Sequence, residues 1–63
     1  MDNRVRERRK ELKISQTELS LRTGISRTTL NKIESGRQTN VKTSTIIRLA
    51  TALAIAPEQL FLF

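Results

Sequence analysis

The stretch from residue 21 to residue 36, LRTGISRTTLNKIESG, restricts the fold more than any other part of the chain. Its helical pattern stops at Gly24 and again at Gly36. Glycine just past a helix takes the left-handed conformation at no steric cost, so each glycine marks a helix end. Between them, Ile25 plugs a corner and Ser26 offers a side-chain oxygen to the free amides of a new helix. Upstream, Ser15-Gln16-Thr17-Glu18 has the spacing of a capping box. In that arrangement Ser15 accepts from the Glu18 amide and Glu18 reaches back to the Ser15 amide. Two short helices follow, Gln16 to about Thr23 and Arg27 to about Ser35, joined by a tight turn. The first buries Leu19 and the small Ser20; the second buries Leu30 and Ile33.

The rest of the chain reads as helices around this pair. A first helix is expected from Asp2 to Lys13, capped by Asp2, with Val5, Arg9 and Leu12 on one face. Ile14 is a buried connector. Residues 37–42 are polar and irregular. A fourth helix runs from about Thr43 to Leu53, with Ile46, Ile47, Leu49, Ala50 and Leu53 on its apolar side. Pro57 is placed to open a last short helix carrying Leu60 and Phe61. No segment has the alternation of a strand, and there is no repeat or linker. The expected fold class is all-α, a compact five-helix single domain over 1–63, its two-helix unit at about 16–35. At 63 residues the chain has room for one domain, and burial of about 60% of the unfolded surface puts it near the lower limit for folding alone.

Composition removes several function classes. Cysteine and histidine are both absent, which rules out disulfides, thiolate metal sites and the usual general base. No constellation supports an enzyme, a metal or a cofactor. Twelve basic residues against six acidic ones give a net charge of +6, the balance of a protein that meets a polyanion. No apolar run approaches the ~20 residues of a membrane span, and the N-terminus lacks the apolar segment of a secretory signal. A basic amphipathic membrane binder would need aromatic and leucine residues along one helix side, whereas the apolar residues here fit a helical core. The two aromatic residues are Phe61 and Phe63, too few for base-stacking platforms, which favours duplex DNA over single strands or RNA. The basic run RVRERRK reads mainly as a solvated helix face, with Asp2 and Arg6 spaced for an ion pair.

The second helix of the pair presents Arg27, Thr28, Asn31 and Lys32 outward, and its sole acid, Glu34, lies inward beside Ile33. Two short helices around a glycine turn form the helix-turn-helix pattern, whose second helix enters the major groove. Arg and Lys donate to guanine, Asn bonds adenine through both its polar atoms, and a Thr methyl meets the thymine methyl.

The segments SQTELSLRTGISRTTLNKIESG and TIIRLATALAIAPEQLF resemble the Cro/repressor-type, lambda-repressor-like (XRE) helix-turn-helix family from about Val5 to Phe61. The elements in register are Arg9, Ser15-Gln16, Leu19, Gly24-Ile25-Ser26, Leu30, Ile33-Glu34, Gly36, Leu49-Ala50 and Leu53. The resemblance implies base reading by Arg27, Thr28 and Lys32, with Asn31 a lesser candidate. It implies DNA-backbone contacts from Gln16, Ser35 and Arg37, and a structural ion pair between Arg9 and Glu34. It also implies a bacterial or phage regulator in the cytoplasm, at the nucleoid, most often a repressor. Ala54 departs from the family's usual glycine and Ala56 from its usual serine cap, and the loop after Gly36 is about a residue longer than common.

The expected function is sequence-specific binding of double-stranded DNA by a homodimer on a palindromic operator. Leu62 and Phe63 are candidate dimer contacts, since an exposed apolar end marks an interface; the alternative is a frayed end. A second functional reading stays open: an antitoxin-like or controller protein whose main task is to hold a protein partner, with DNA autoregulation beside it.

Overall fold

Two helices start at a serine cap, and four are followed within two residues by a residue of positive φ. The structure is a computed structural model and describes residues 2–61. Its helices are α1 (Val5–Glu11), α2 (Gln16–Thr23), α3 (Arg27–Glu34), α4 (Thr43–Ala52) and α5 (Pro57–Leu60). No strand occurs among the described residues, only an isolated antiparallel bridge between Asn3 and Phe61. Ser15 caps α2 by accepting from the Glu18 amide at 3.0 Å, and Ser26 caps α3 by accepting from the Thr29 amide at 3.2 Å. The capping box is one-sided: the Glu18 carboxylate accepts from Arg22 Nε at 2.9 Å rather than reaching back to Ser15.

Three helices end in the same way. Past α1, α3 and α4, residues Lys13, Gly36 and Ala54 take positive φ of 57°, 79° and 52°. Each donates its amide to the carbonyl three residues back, and the next residue donates to the carbonyl five back: Ile14 to Arg9, Arg37 to Lys32, Ile55 to Ala50, at 3.0–3.1 Å. These bonds satisfy carbonyls that would otherwise be orphaned. Gly24 closes α2 with φ 74° and a 2.8 Å bond to the Ser20 carbonyl. At Ala54 the conformation is strained, as expected where glycine is usual.

The start of α1 differs from the expectation. The helix begins at Val5, not Asp2, and its first amide is met by Asn3 Oδ1 at 3.0 Å. Asn3 is spoken for elsewhere too: its Nδ2 donates to the Ile33 carbonyl at 2.7 Å, and the neighbouring Arg4 amide donates to the Leu60 carbonyl at 2.8 Å. Arg6 turns to Glu34 instead of Asp2. In place of that expected pair, α1 carries Arg4–Glu7 and Arg8–Glu11 ion pairs at i, i+3. The hydrogen bond from Arg4 holds the exposed Glu7 carboxyl below the usual range, and Glu7 in turn raises Arg4.

The core is contributed by every helix: Val5, Leu19, Leu30, Ile33, Ile46, Leu49, Ala50, Leu53 and Leu60, with Ile14, Ile25 and Phe61 from the connections. Two residues placed inward from the sequence are not. Ile47 is 51% exposed, because the buried stripe of α4 follows Ile46, Leu49, Ala50 and Leu53, and position 47 turns away from it. Leu12 follows the end of α1 and is also exposed. Among the described residues no buried side-chain nitrogen or oxygen lacks a hydrogen-bond partner, and no helix is long and apolar enough to cross a membrane.

Candidate nucleic-acid interface

The α2–α3 turn is locked by side chains that need no partner outside it. Thr23 Oγ1 donates to the Leu19 carbonyl at 2.8 Å and accepts from the Ile25 amide at 3.2 Å. Ser20 Oγ donates to the Ile25 carbonyl at 2.6 Å. With Ile25 buried beneath, the angle between the two helices has little freedom. The sequence marked the glycine of this corner but gave no role to Thr23; a threonine one residue before a helix-ending glycine was the available signal.

From the inside, α3 is held by Leu30, Ile33 and the carboxylate of Glu34, whose side chain is 0% exposed. Arg9 grips that carboxylate with two bonds, Nε to Oε2 at 3.2 Å and Nη2 to Oε1 at 3.1 Å, while its Nη1 donates to the Ile14 carbonyl at 2.9 Å. Arg6 adds a longer contact at 3.5 Å. A buried carboxylate is tolerable only when compensated in this way. The one acid of α3 is thus removed from its outer face.

That outer face carries Arg27, Thr28, Asn31 and Lys32, all exposed. None of the four has a side-chain hydrogen bond or ion pair to another described residue. Gln16, at the first turn of α2, joins Arg27, Thr28 and Asn31 around an open, polar hollow of about 330 Å³. Lys32 does not line the hollow. Farther along, Ser35 and Arg37 are exposed just past the C-terminal end of α3. They are bonded to each other, Arg37 Nε donating to Ser35 Oγ at 2.9 Å. Uncharged and cationic donors therefore lie along one side of the corner: the amides of Gln16 and Asn31, the Thr28 hydroxyl and the Arg27 guanidinium around the hollow, and a second guanidinium, that of Arg37, past the end of α3. Such a set can donate to base edges and to phosphate oxygens, and it contains no free carboxylate to repel them. Leu62 and Phe63, the expected dimer contacts, lie outside the described residues. No group of His, Cys, Asp or Glu among the described residues is arranged to hold a metal.

A buried-backed polar helix on a rigid two-helix corner defines a helix-turn-helix protein. The Helix-turn-helix family matches residues 5–60, and the chain belongs to it, in its Cro/repressor-type branch; it is a DNA-binding transcriptional regulator. Among solved structures, the restriction-modification controller protein C.AhdI from Aeromonas hydrophila is similar. The two are 40% identical, the match covers 92% of this chain and 86% of that one, and the TM-score is 0.84. No match is found among curated proteins.

Proposed function

We propose that the protein binds a palindromic operator as a homodimer and represses transcription by covering promoter DNA, with α3 in the major groove. Arg27, Thr28 and Lys32 read base edges, Asn31 assists, and Gln16 and Arg37 hold the DNA backbone. The observation that carries this reading is the outer face of α3, where four exposed side chains are all uncommitted. The net charge of +6 supplies the sequence-independent attraction, and the acid-free face directs it. Two copies related by a two-fold axis present two such helices to half-sites about one helical turn apart. The protein acts in the cytoplasm, at the nucleoid.

The likeness to C.AhdI favours one biological setting. That protein is a restriction-modification controller, and the present chain is read as a controller-type regulator, its operator lying beside the genes of such a system. Within this setting DNA binding is the main activity, and holding a protein partner is secondary.

The test is selection of bound duplexes from a random pool at near-physiological salt. A palindromic enriched motif establishes specific reading and gives the half-site spacing. Binding without enrichment that vanishes as salt rises leaves only the charge attraction and rejects the operator reading.

A further inference from the structure

Three helices end in the same hydrogen-bonded turn, but the residue that completes it differs. After α1 and α4 that residue is an isoleucine, Ile14 or Ile55, turned toward the core. A hydrophobic contact at this position is the usual accompaniment of the motif. After α3 it is Arg37, and it is exposed. The turn has given up a core contact and gained an oriented cation at the end of the DNA-facing helix.

Arg37 is fixed at two points. Its amide donates to the Lys32 carbonyl at 3.1 Å and its Nε donates to Ser35 Oγ at 2.9 Å. Ser35 is itself anchored, its hydroxyl hydrogen donating to the same Lys32 carbonyl at 3.1 Å. A serine hydroxyl has one hydrogen and two lone pairs. With the hydrogen given to Lys32, its oxygen is left to accept from Arg37. Both terminal nitrogens of Arg37, Nη1 and Nη2, remain without a partner among the described residues, the pair that engages a phosphate in parallel.

We propose that Ser35 is a positioning residue rather than a DNA contact: it holds the Arg37 guanidinium by Nε so that Nη1 and Nη2 meet one DNA phosphate beyond the C-terminal end of α3. The side chain of an exposed arginine otherwise loses substantial rotamer freedom on binding. Bracing it beforehand lowers that cost and fixes where the backbone sits along α3. This role rests on the reading of Arg37 as a phosphate contact.

The test is a double-mutant cycle of S35A and R37A. Binding is measured on the selected duplex and on an unrelated duplex of equal length, at several salt concentrations. R37A is expected to weaken both duplexes and to flatten the dependence of log Kd on log salt by about one. S35A is expected to weaken both by about 2–10-fold, the equivalent of one side-chain hydrogen bond. It is expected to add nothing once Arg37 is gone. S35T, which keeps the hydroxyl, should bind as the natural protein does. R37K keeps the charge but loses Nε, and should be insensitive to S35A. If S35A weakens binding equally with and without Arg37, Ser35 acts on its own and the positioning role is wrong. If R37A changes neither affinity nor salt dependence, Arg37 is no phosphate contact and the reading beneath falls as well.

Discussion

Arg9 of α1 and Glu34 of α3 stand 25 residues apart and meet through two hydrogen bonds, with the carboxylate fully enclosed. This pair ties the first helix to the C-terminal end of α3. Its loss is unequal to its gain: removing one partner strands a charge in the interior, at a cost of about 3–5 kcal/mol. Domains hold only about 5–15 kcal/mol in total, so Glu34→Ala is expected to lower the thermal midpoint by 10 °C or more, or to abolish folding. Replacing both partners by apolar side chains, Arg9→Met with Glu34→Leu, should recover most of the loss. Circular dichroism melting of the two variants beside the natural protein decides this, and an unchanged melt for Glu34→Ala would show that the pair contributes nothing.

Arg27 and Lys32 are expected to act on the sequence of the site. Each changed to alanine should cost about 1–3 kcal/mol on the selected duplex and relax preference at particular base pairs. The melting curves should stay put, because both side chains are exposed and bonded to nothing in the fold. Repeating the duplex selection with each variant reads the outcome. Equal losses on every sequence would assign these residues to phosphates instead.

Gln16 is expected to behave oppositely. It stands at the N-terminus of α2, where free amides and a side-chain amide together suit a phosphate. Gln16→Ala should weaken selected and unrelated duplexes alike. A shift in the enriched motif, with little loss on unrelated DNA, would show that Gln16 instead serves base reading across the hollow it shares with Arg27, Thr28 and Asn31.

Ala54 holds φ of 52°, where a β-carbon is opposed by the backbone. Ala54→Gly should raise stability by about 0.5–1 kcal/mol, since relief of a strain of roughly 1–2 kcal/mol exceeds the added freedom of the unfolded glycine. The expected readout is a melting midpoint several degrees higher with DNA affinity unchanged. A lower midpoint would mean that the strain is negligible.

The corner between α2 and α3 was legible because its causes are local. Ser15, Gly24 and Ser26 act within a few residues of themselves, so spacing alone places them. Ends that depend on distant partners were not. Asp2 looked like a cap, but Asn3 and Arg4 are drawn to Ile33 and Leu60, and α1 starts only after that clasp. The left-handed Lys13 has no glycine to announce it. Ile47 belongs to an apolar run, yet a helix buries a stripe and not a run, and four other residues of α4 and its end fill that stripe. The basic run of α1 read mostly as solvated surface, whereas Arg8 donates to the Leu53 and Ala54 carbonyls, a use visible only once α4 lies alongside. The exposed, uncommitted side chains of α3 were legible as a set. Their roles came from resemblance, and the structure adds the hollow at one end of α3 and the braced arginine at the other.

The clasp between the two ends of the fold also makes the fold hard to divide. Arg4 finds its partner at Leu60 and Asn3 pairs with Phe61, so the approach to α1 is secured by the end of α5. Asn3 also ties α1 to the end of α3. Cutting the fold between α4 and α5 would leave the α2–α3 corner without this support. The five helices should therefore unfold as one unit rather than in pieces.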